Sequence, residues 1–204
     1  MFTGIITDVG EVIAVTPRET GIRLRVATRY DVAGIDMGAS VAHSGICLTV
    51  VEKGHGTPDQ TAGHDWYDVE ISPETLRVTN AGSWRTGTRL NLERSLTLGA
   101  EMGGHLVTGH VDGVAELIER TNDGDMAVLT FRVPQSYARF IAAKGSICLD
   151  GTSLTVNSVG PDTLSVMLIP HTLEVTTWGE AKVGDHMNFE VDLMARYAAR
   201  LMER

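Results

Sequence analysis

The stretch TLRVTNAGSWRTGTRLNLE, residues 75–93, returns as TLEVTTWGEAKVGDHMNFE, residues 172–190, with 8 of 19 positions identical and no gap. Agreement at that level within one chain marks a duplicated structural unit. The offset is 97 here, but earlier landmarks lie further apart. Thr3-Gly4 matches Thr108-Gly109 at 105, and Ser40, Gly45, Leu48 and Thr49 match Ser146, Gly151, Leu154 and Thr155 at 106. The first copy therefore carries nine extra residues, since 106 − 97 = 9. The run KGHGTPDQTAGHD, Lys53 to Asp65, is dense in Gly, Pro, Asp and His and is expected to hold them as an exposed loop.

The 204 residues are enough for two cores of roughly 90 to 100 residues each. A hydrophobic share of 43% with 21% charged residues suits a folded globular chain rather than a disordered one. The N-terminus has no basic stretch followed by an unbroken apolar run, and no window of about 18 apolar residues occurs, which reads as cytoplasmic. A net charge of −9 with 17 scattered cations speaks against nucleic acid and for a small ligand. Cys47 and Cys148 sit in apolar strand-like runs and read as buried hydrophobes rather than a disulfide.

Within each copy the apolar runs are short and alternate: IRLRVAT, CLTVVE and YDVEIS in the first, MAVLTFRV, LTVNSV and TLSVML in the second. Alternation with branched residues between glycine-containing turns predicts strands. A module of about 95 residues with some six such strands is most economically a closed Greek-key barrel, because closure removes exposed strand edges. The fold class is therefore all-β, two tandem six-stranded barrels spanning residues 1–97 and 98–191. Two helices are expected besides. QSYARFIAAKG has Pro134 near its start and Gly145 just past its end. Residues 192–204 carry Asp192 as N-cap and an apolar stripe at Met194, Tyr197, Ala198 and Leu201. A helix of about a dozen residues is marginal alone, so it docks either on its own barrel or on another subunit.

No metal site is expected. His105 and His110 are an odd number apart and point to opposite faces of an extended strand, and no H-x-x-x-H or C-x-x-C occurs. Walker and G-x-G-x-x-G loops are missing too, which leaves the chain reading as cofactor-free. What remains is a set of small polar residues at matched places beside glycines. Gly4-Ile5-Ile6 pairs with Gly109-His110-Val111, Cys47-Leu48-Thr49 with Ser153-Leu154-Thr155, and Glu74-Thr75 with His171-Thr172. Glycine lets a planar ligand approach the backbone, whose N–H and C=O groups can read its edge. Leu48, Leu154, Val50 and Val156 are explained by a repeated core strand alone. At Ile5/His110 and Cys47/Ser153 the copies differ, so two pockets of one origin have become chemically unequal. His110 read by itself is either a structural histidine or a base.

The ordered set MFTGII, ASVAHSGICLTV, ETLRVTNAG, GGHLVTGHVDG, LDGTSLTV and IPHTLEVTT resembles the α-type riboflavin synthase family over nearly the whole chain. The resemblance implies two six-stranded barrels and a C-terminal helix, assembled as a homotrimer without metal or redox cofactor, with association with lumazine synthase as a further partner expectation. It implies conversion of two 6,7-dimethyl-8-ribityllumazine molecules into riboflavin and 5-amino-6-ribitylaminouracil by transfer of a four-carbon unit. A dismutation of two identical substrates wants two similar pockets, and holding both rings in place makes the reaction effectively unimolecular. The acidic C7 methyl then needs only modest base help.

By the same resemblance His110, Ser153 and Thr155 would sit at that methyl in the C-terminal pocket, with Ser40, Cys47 and Thr49 in the N-terminal one. Phe2 would order the N-terminal segment against the ligand, and Lys144 would polarise a pyrimidine carbonyl. Substrate contacts are implied for Gly4, Ile5, Ile6, Leu48, Glu70, Ile71, Ser72, Pro73, Glu74 and Thr75. They are implied likewise for Gly109, Val111, Leu154, Met167, Leu168, Ile169, Pro170, His171 and Thr172. Pro73 departs from the longer side chain expected there, which leaves backbone contacts only. The rival reading is a non-catalytic lumazine or flavin carrier, which typically keeps one pocket and lets the other decay. A flavin-dependent reductase on a related barrel would need a nucleotide signature that this chain lacks.

Overall fold

The computed structural model describes residues 1–56 and 65–203. The first barrel comprises β1 (Asp8–Pro17), β2 (Ile22–Thr28), β3 (Ser40–His43), β4 (Ile46–Gly54), β5 (Asp65–Ile71) and β6 (Arg89–Arg94), with helix α1 (Pro73–Val78) between the last two strands. The second comprises β7 (Gly113–Asp123), β8 (Met126–Arg132), β9 (Ser146–Leu149), β10 (Thr152–Val159), β11 (Thr163–Leu168) and β12 (His186–Val191). It carries α2 (Gln135–Ala138) after β8 and α3 (Pro170–Val175) after β11, and α4 (Leu193–Met202) follows β12. Both sheets close with the same neighbours, β1-β2-β5-β4-β3-β6 and β7-β8-β11-β10-β9-β12, and the strand pairs are antiparallel. The expected all-β architecture of two six-stranded barrels is what forms.

Alternation explains the strands. In β8, Ala127, Leu129 and Phe131 point inward, and in β11 Leu164, Val166 and Leu168 do, between half-exposed neighbours. Register slips interrupt the pairing at equivalent places, after Val12 and Leu117 and after Val50 and Val156. Bulges of this kind bend the strands enough to close so small a sheet. The cores are matched in volume rather than residue by residue. Ala81 and Trp84 fill the first where Trp178 and Ala181, 97 positions on, fill the second, a swap that preserves packing volume.

The barrels meet through two hairpin turns. Ser44-Gly45 has φ of 42° and 86°, and Asp150-Gly151 has 41° and 80°, the left-handed pair that a two-residue turn of this twist demands. The turns touch back to back, so that a Cβ on Gly45 would stand 3.0 Å from the Gly151 nitrogen. Asn91 donates its amide to the Asp150 carbonyl at 3.0 Å, and Asn188 donates to the Ser44 carbonyl at 2.9 Å. This reciprocity makes the barrel contact a pseudo-two-fold one.

Two expectations about helices change. Gln135 to Gly145 is not one helix: α2 is a single turn, after which Phe140, Ile141 and Gly145 close i to i+3 hydrogen bonds. Tyr137, Phe140 and Ile141 pack against the second core instead, with the Tyr137 ring 5.3 Å from that of Phe189. At the C-terminus Asp192 caps α4 as expected, accepting from the Met194 amide at 2.8 Å. Met194, Tyr197 and Leu201 are 73%, 60% and 82% exposed, so this stripe does not dock on its own barrel. The opposite side of α4 is tethered by Arg196 to Asp112 at 2.7 Å. Of the loop expected between Lys53 and Asp65, β4 and β5 claim the two ends and residues 57–64 lie outside the described residues.

Candidate functional site

Strands β4 and β10 carry the matched runs. Their alternation sends Leu48 and Leu154 into the cores and turns Cys47, Thr49, Ser153 and Thr155 outward. Thr49 and Thr155 are exposed, and Cys47 and Ser153 are half-buried. Ser40 stands opposite Thr49 across the β3–β4 ladder, as Ser146 stands opposite Thr155.

A glycine-bearing segment covers each outward face, and it comes from the other half of the chain. The Ser153 N–H donates to the Gly4 carbonyl at 2.8 Å, and the Cys47 N–H donates to the Gly109 carbonyl at 3.0 Å. Only glycine fits these crossings. Gly4 and Gly109 have φ of 75° and 78°, and a Cβ on either would lie 2.5 Å from the side chain beneath. Each segment is gripped meanwhile by a glutamate of its own barrel. Glu93 accepts from the Thr3 N–H and hydroxyl, both at 2.7 Å, and from the Gly4 N–H at 2.9 Å. Glu190 accepts from the Thr108 N–H and hydroxyl at 2.8 and 2.6 Å, and from the Gly109 and His110 N–H groups at 2.8 and 3.1 Å. Burial holds the Glu93 carboxyl above the usual carboxylate range, and the bonds from Thr3 and Gly4 pull it back.

This geometry corrects the grouping that the resemblance implied. His110 lies on the segment over Cys47 of the first barrel, not with Ser153 and Thr155. Gly4, Ile5 and Ile6 instead wall the second barrel's hollow, with Ser153, His171 and Thr172. Phe2 also differs from expectation. Its ring is fully buried beside Ala42, Val107 and Cys148, and its backbone bridges Val107 at 2.8 and 3.1 Å. It pins the two crossing segments together from beneath and offers a ligand no surface. Cys148 is buried and Cys47 half-buried, and neither forms a disulfide.

The hollow of the second barrel is walled in part by α3, through His171, Thr172 and Val175, and α1 holds the matching place after β5 in the first barrel. Pro73 and Pro170 open α1 and α3, where a missing N–H costs nothing. Ser72 accepts from the Thr75 amide at 3.1 Å. Ile71 and Leu168 are each 1% exposed, so these two positions offer a ligand backbone only. Glu70, Glu74, Met167 and Ile169 are exposed, and Glu74 is held below the usual carboxylate range by Arg77. Lys144 is exposed with φ of 66°, in the place where the first half has Gly38 at 83°. A non-glycine residue held in the left-handed region costs energy.

Sequence reasoning passed over His105, Glu93 and Glu190. The two glutamates had a signal, since they are matched and end the repeated stretch quoted above. His105 had none, because its partner, the Ser153 hydroxyl, is 48 residues away. A hollow of about 920 Å³ lies in the groove between the barrels, lined by Asn80, Arg89, Glu180 and His186 among others. None of the predicted site residues lines it, so we place the chemistry elsewhere. Among the described residues no His, Cys, Asp and Glu cluster could hold a metal ion, and no helix is long and apolar enough to cross a membrane.

The lumazine binding domain model matches twice, over residues 3–95 and 108–192. The chain belongs to the lumazine-binding domain family. It is 55% identical to the riboflavin synthase of Brucella abortus (strain 2308) over 100% of this chain and 98% of that one. It is 38% identical to the riboflavin synthase of Schizosaccharomyces pombe (strain 972 / ATCC 24843) over 100% of this chain and 94% of that one. The fold matches LumP complexed with riboflavin at a TM-score of 0.80 and LumP complexed with 6,7-dimethyl-8-(1'-D-ribityl) lumazine at 0.77. These structures are 21% and 20% identical, each match covering 94% of this chain and 99% of that one.

Proposed function

We propose that this chain is an enzyme that dismutates two 6,7-dimethyl-8-ribityllumazine molecules into riboflavin and 5-amino-6-ribitylaminouracil. The observation that carries this is the duplicated site: two outward strands with the same Thr, each covered by a glycine segment from the other half. Atoms and electrons balance between the two identical substrates, so the reaction calls for no external oxidant or reductant. The names of the relatives at 55% and 38% identity support the same chemistry.

In this reading Thr49 and Thr155, with the backbone of the covering segments, fix the two ring systems. Cys47 and Ser153 stand next to the reacting carbons. His110 serves the N-terminal barrel's site as base, and Lys144 reaches a pyrimidine carbonyl at the other. Orientation supplies much of the acceleration.

One chain supplies only part of the wall around Ser153. The hollow over Ser153 holds about 140 Å³, against about 300 Å³ or more for ordinary small-molecule sites. A second subunit closes it, and the exposed Met194, Tyr197 and Leu201 stripe is the seam of a homotrimer. We take residues 1–97 and 98–191 as the two lumazine-binding modules, 192–204 as the assembly helix, the cytoplasm as the compartment, and lumazine synthase as a neighbour.

The test is to incubate the purified protein with 6,7-dimethyl-8-ribityllumazine alone and follow riboflavin. We expect one riboflavin for two lumazines consumed. Tight binding of lumazine or riboflavin with no turnover would replace this reading with a carrier.

A further inference from the structure

Ser153 does not stand alone over its hollow. The His105 Nδ1 lies 2.6 Å from the Ser153 Oγ, a short hydrogen bond. The backbone brings the ring there by design of the segment. The His105 N–H donates to the Thr3 carbonyl at 3.2 Å, and a Cβ on the preceding Gly104 would lie 2.7 Å from the Ser153 Cβ and 2.0 Å from the Thr3 oxygen. Among the described residues Cys47, the counterpart of Ser153, has no imidazole hydrogen-bonded to it. The two sites therefore differ in a respect that their matched residues do not reveal.

We infer that His105 is a positioning residue for the C-terminal barrel's site, orienting the Ser153 hydroxyl so that its oxygen lone pairs face the reacting lumazine. This deepens the proposed reaction and rests on it. A neutral imidazole accepts at one nitrogen and donates at the other. Two carboxylates, Asp192 at the start of α4 and Glu190 on β12, act on the ring, while burial opposes its protonation and lowers its pKa. Near neutral pH the ring is therefore uncharged. In the tautomer that carries its proton on Nε2, Nδ1 accepts from the Ser153 hydroxyl. The serine hydrogen is then spent on His105, and Oγ presents only acceptor character to the ligand. Protonation reverses this: Nδ1–H donates, one Oγ lone pair is consumed, and the hydroxyl hydrogen swings into the site.

The experiment is a cycle of four full-length proteins: the parent, His105→Leu, Ser153→Ala and the double variant. Each is assayed for riboflavin formation from 6,7-dimethyl-8-ribityllumazine. We expect His105→Leu to lower kcat by about tenfold or more in the parent. The same change should cost less than about twofold once Ser153 is Ala, because the group it orients is gone. His105→Asn, whose amide falls near the Nδ1 position, should restore most of kcat and alter the acid limb of its pH profile, because the ring whose protonation turns the Ser153 hydroxyl is gone. An equal loss in both backgrounds, whether through misfolding or an independent role, overturns the inference. So does an acid limb unchanged in His105→Asn. A parent protein that binds riboflavin but forms none would overturn the reaction instead. The coupling would then be read from riboflavin affinity across the same four proteins, additive effects again refuting it.

Discussion

Replacing Asp150 by Asn should stabilise the protein increasingly from pH 4 to pH 8. Asp150 sits in the turn where the barrels meet, 9% exposed, accepting from the Asn188 N–H at 2.8 Å. Burial pushes its carboxyl from 3.8 up to about 8, against the opposing effect of that bond. A carboxyl raised on folding binds a proton that the unfolded chain has lost, so stability falls as pH rises from the ordinary value to the folded one. At about 1.36 kcal/mol per pH unit, the loss approaches about 5 kcal/mol by pH 8.

His43 acts in the opposite sense. It is fully buried between the Val41 carbonyl and the Tyr67 hydroxyl, and burial lowers it from 6.5 to about 4. Its contribution falls as the medium is acidified through that window, at the same slope. The two groups therefore offset one another between pH 4 and 6.5, leaving a decline of about 2 kcal/mol between 6.5 and 8. In Asp150→Asn the Asp150 decline is removed while the His43 limb remains, so the gap between the two proteins should widen by about 1.36 kcal/mol per pH unit from pH 4 to 8. Asn keeps the acceptor for Asn188 and tolerates a φ of 41°. Urea midpoints of both proteins at one protein concentration, every half unit from pH 4.5 to 8.5, measure the difference directly. Parallel profiles would refute the buried, protonated Asp150.

Glu93→Gln should loosen the crossing over β10, and Glu190→Gln the crossing over β4. Amide exchange should then rise about tenfold to a hundredfold at Ser153 in the first variant and at Cys47 in the second; the reverse assignment would contradict the crossed segments. Gly4→Ala and Gly109→Ala each force a Cβ to 2.5 Å from a neighbour in a left-handed conformation. Each should cost about 2–4 kcal/mol in thermal or urea unfolding, whereas Gly38→Ala, with no atom within 4 Å, should cost only the conformational part. Truncation after Val191 should reduce turnover more at low protein concentration than at high, by mass action; sedimentation alongside would expose a monomeric yet fully active chain, which would sink the subunit-shared site.

Much of this protein was legible as local pattern. Alternation in IRLRVAT and TLSVML predicts strands because side chains on a pleat alternate by geometry, whatever lies beyond the strand. The shifting offsets of 105, 106 and 97 announce two copies and place the extra residues between β4 and β5. Asp192 ahead of an i, i+3, i+7 stripe announces the last helix. Only the tertiary structure decided which barrel each motif serves. The link from Gly4 to Ser153 spans 149 residues and that from Cys47 to Gly109 spans 62, and neither has a periodicity to betray it. Matching halves invites the assumption that each copy completes its own site, and the closure of the barrels removes that option. Glu93 and Glu190 hold the segments from their own barrels, and each glycine reaches across to the other barrel's outward strand. The pairing of His105 with Ser153, the burial that raises the Asp150 carboxyl and the exposed stripe of α4 follow from that same non-local packing, because burial and hydrogen-bond partners belong to the assembled chain rather than to any window of it.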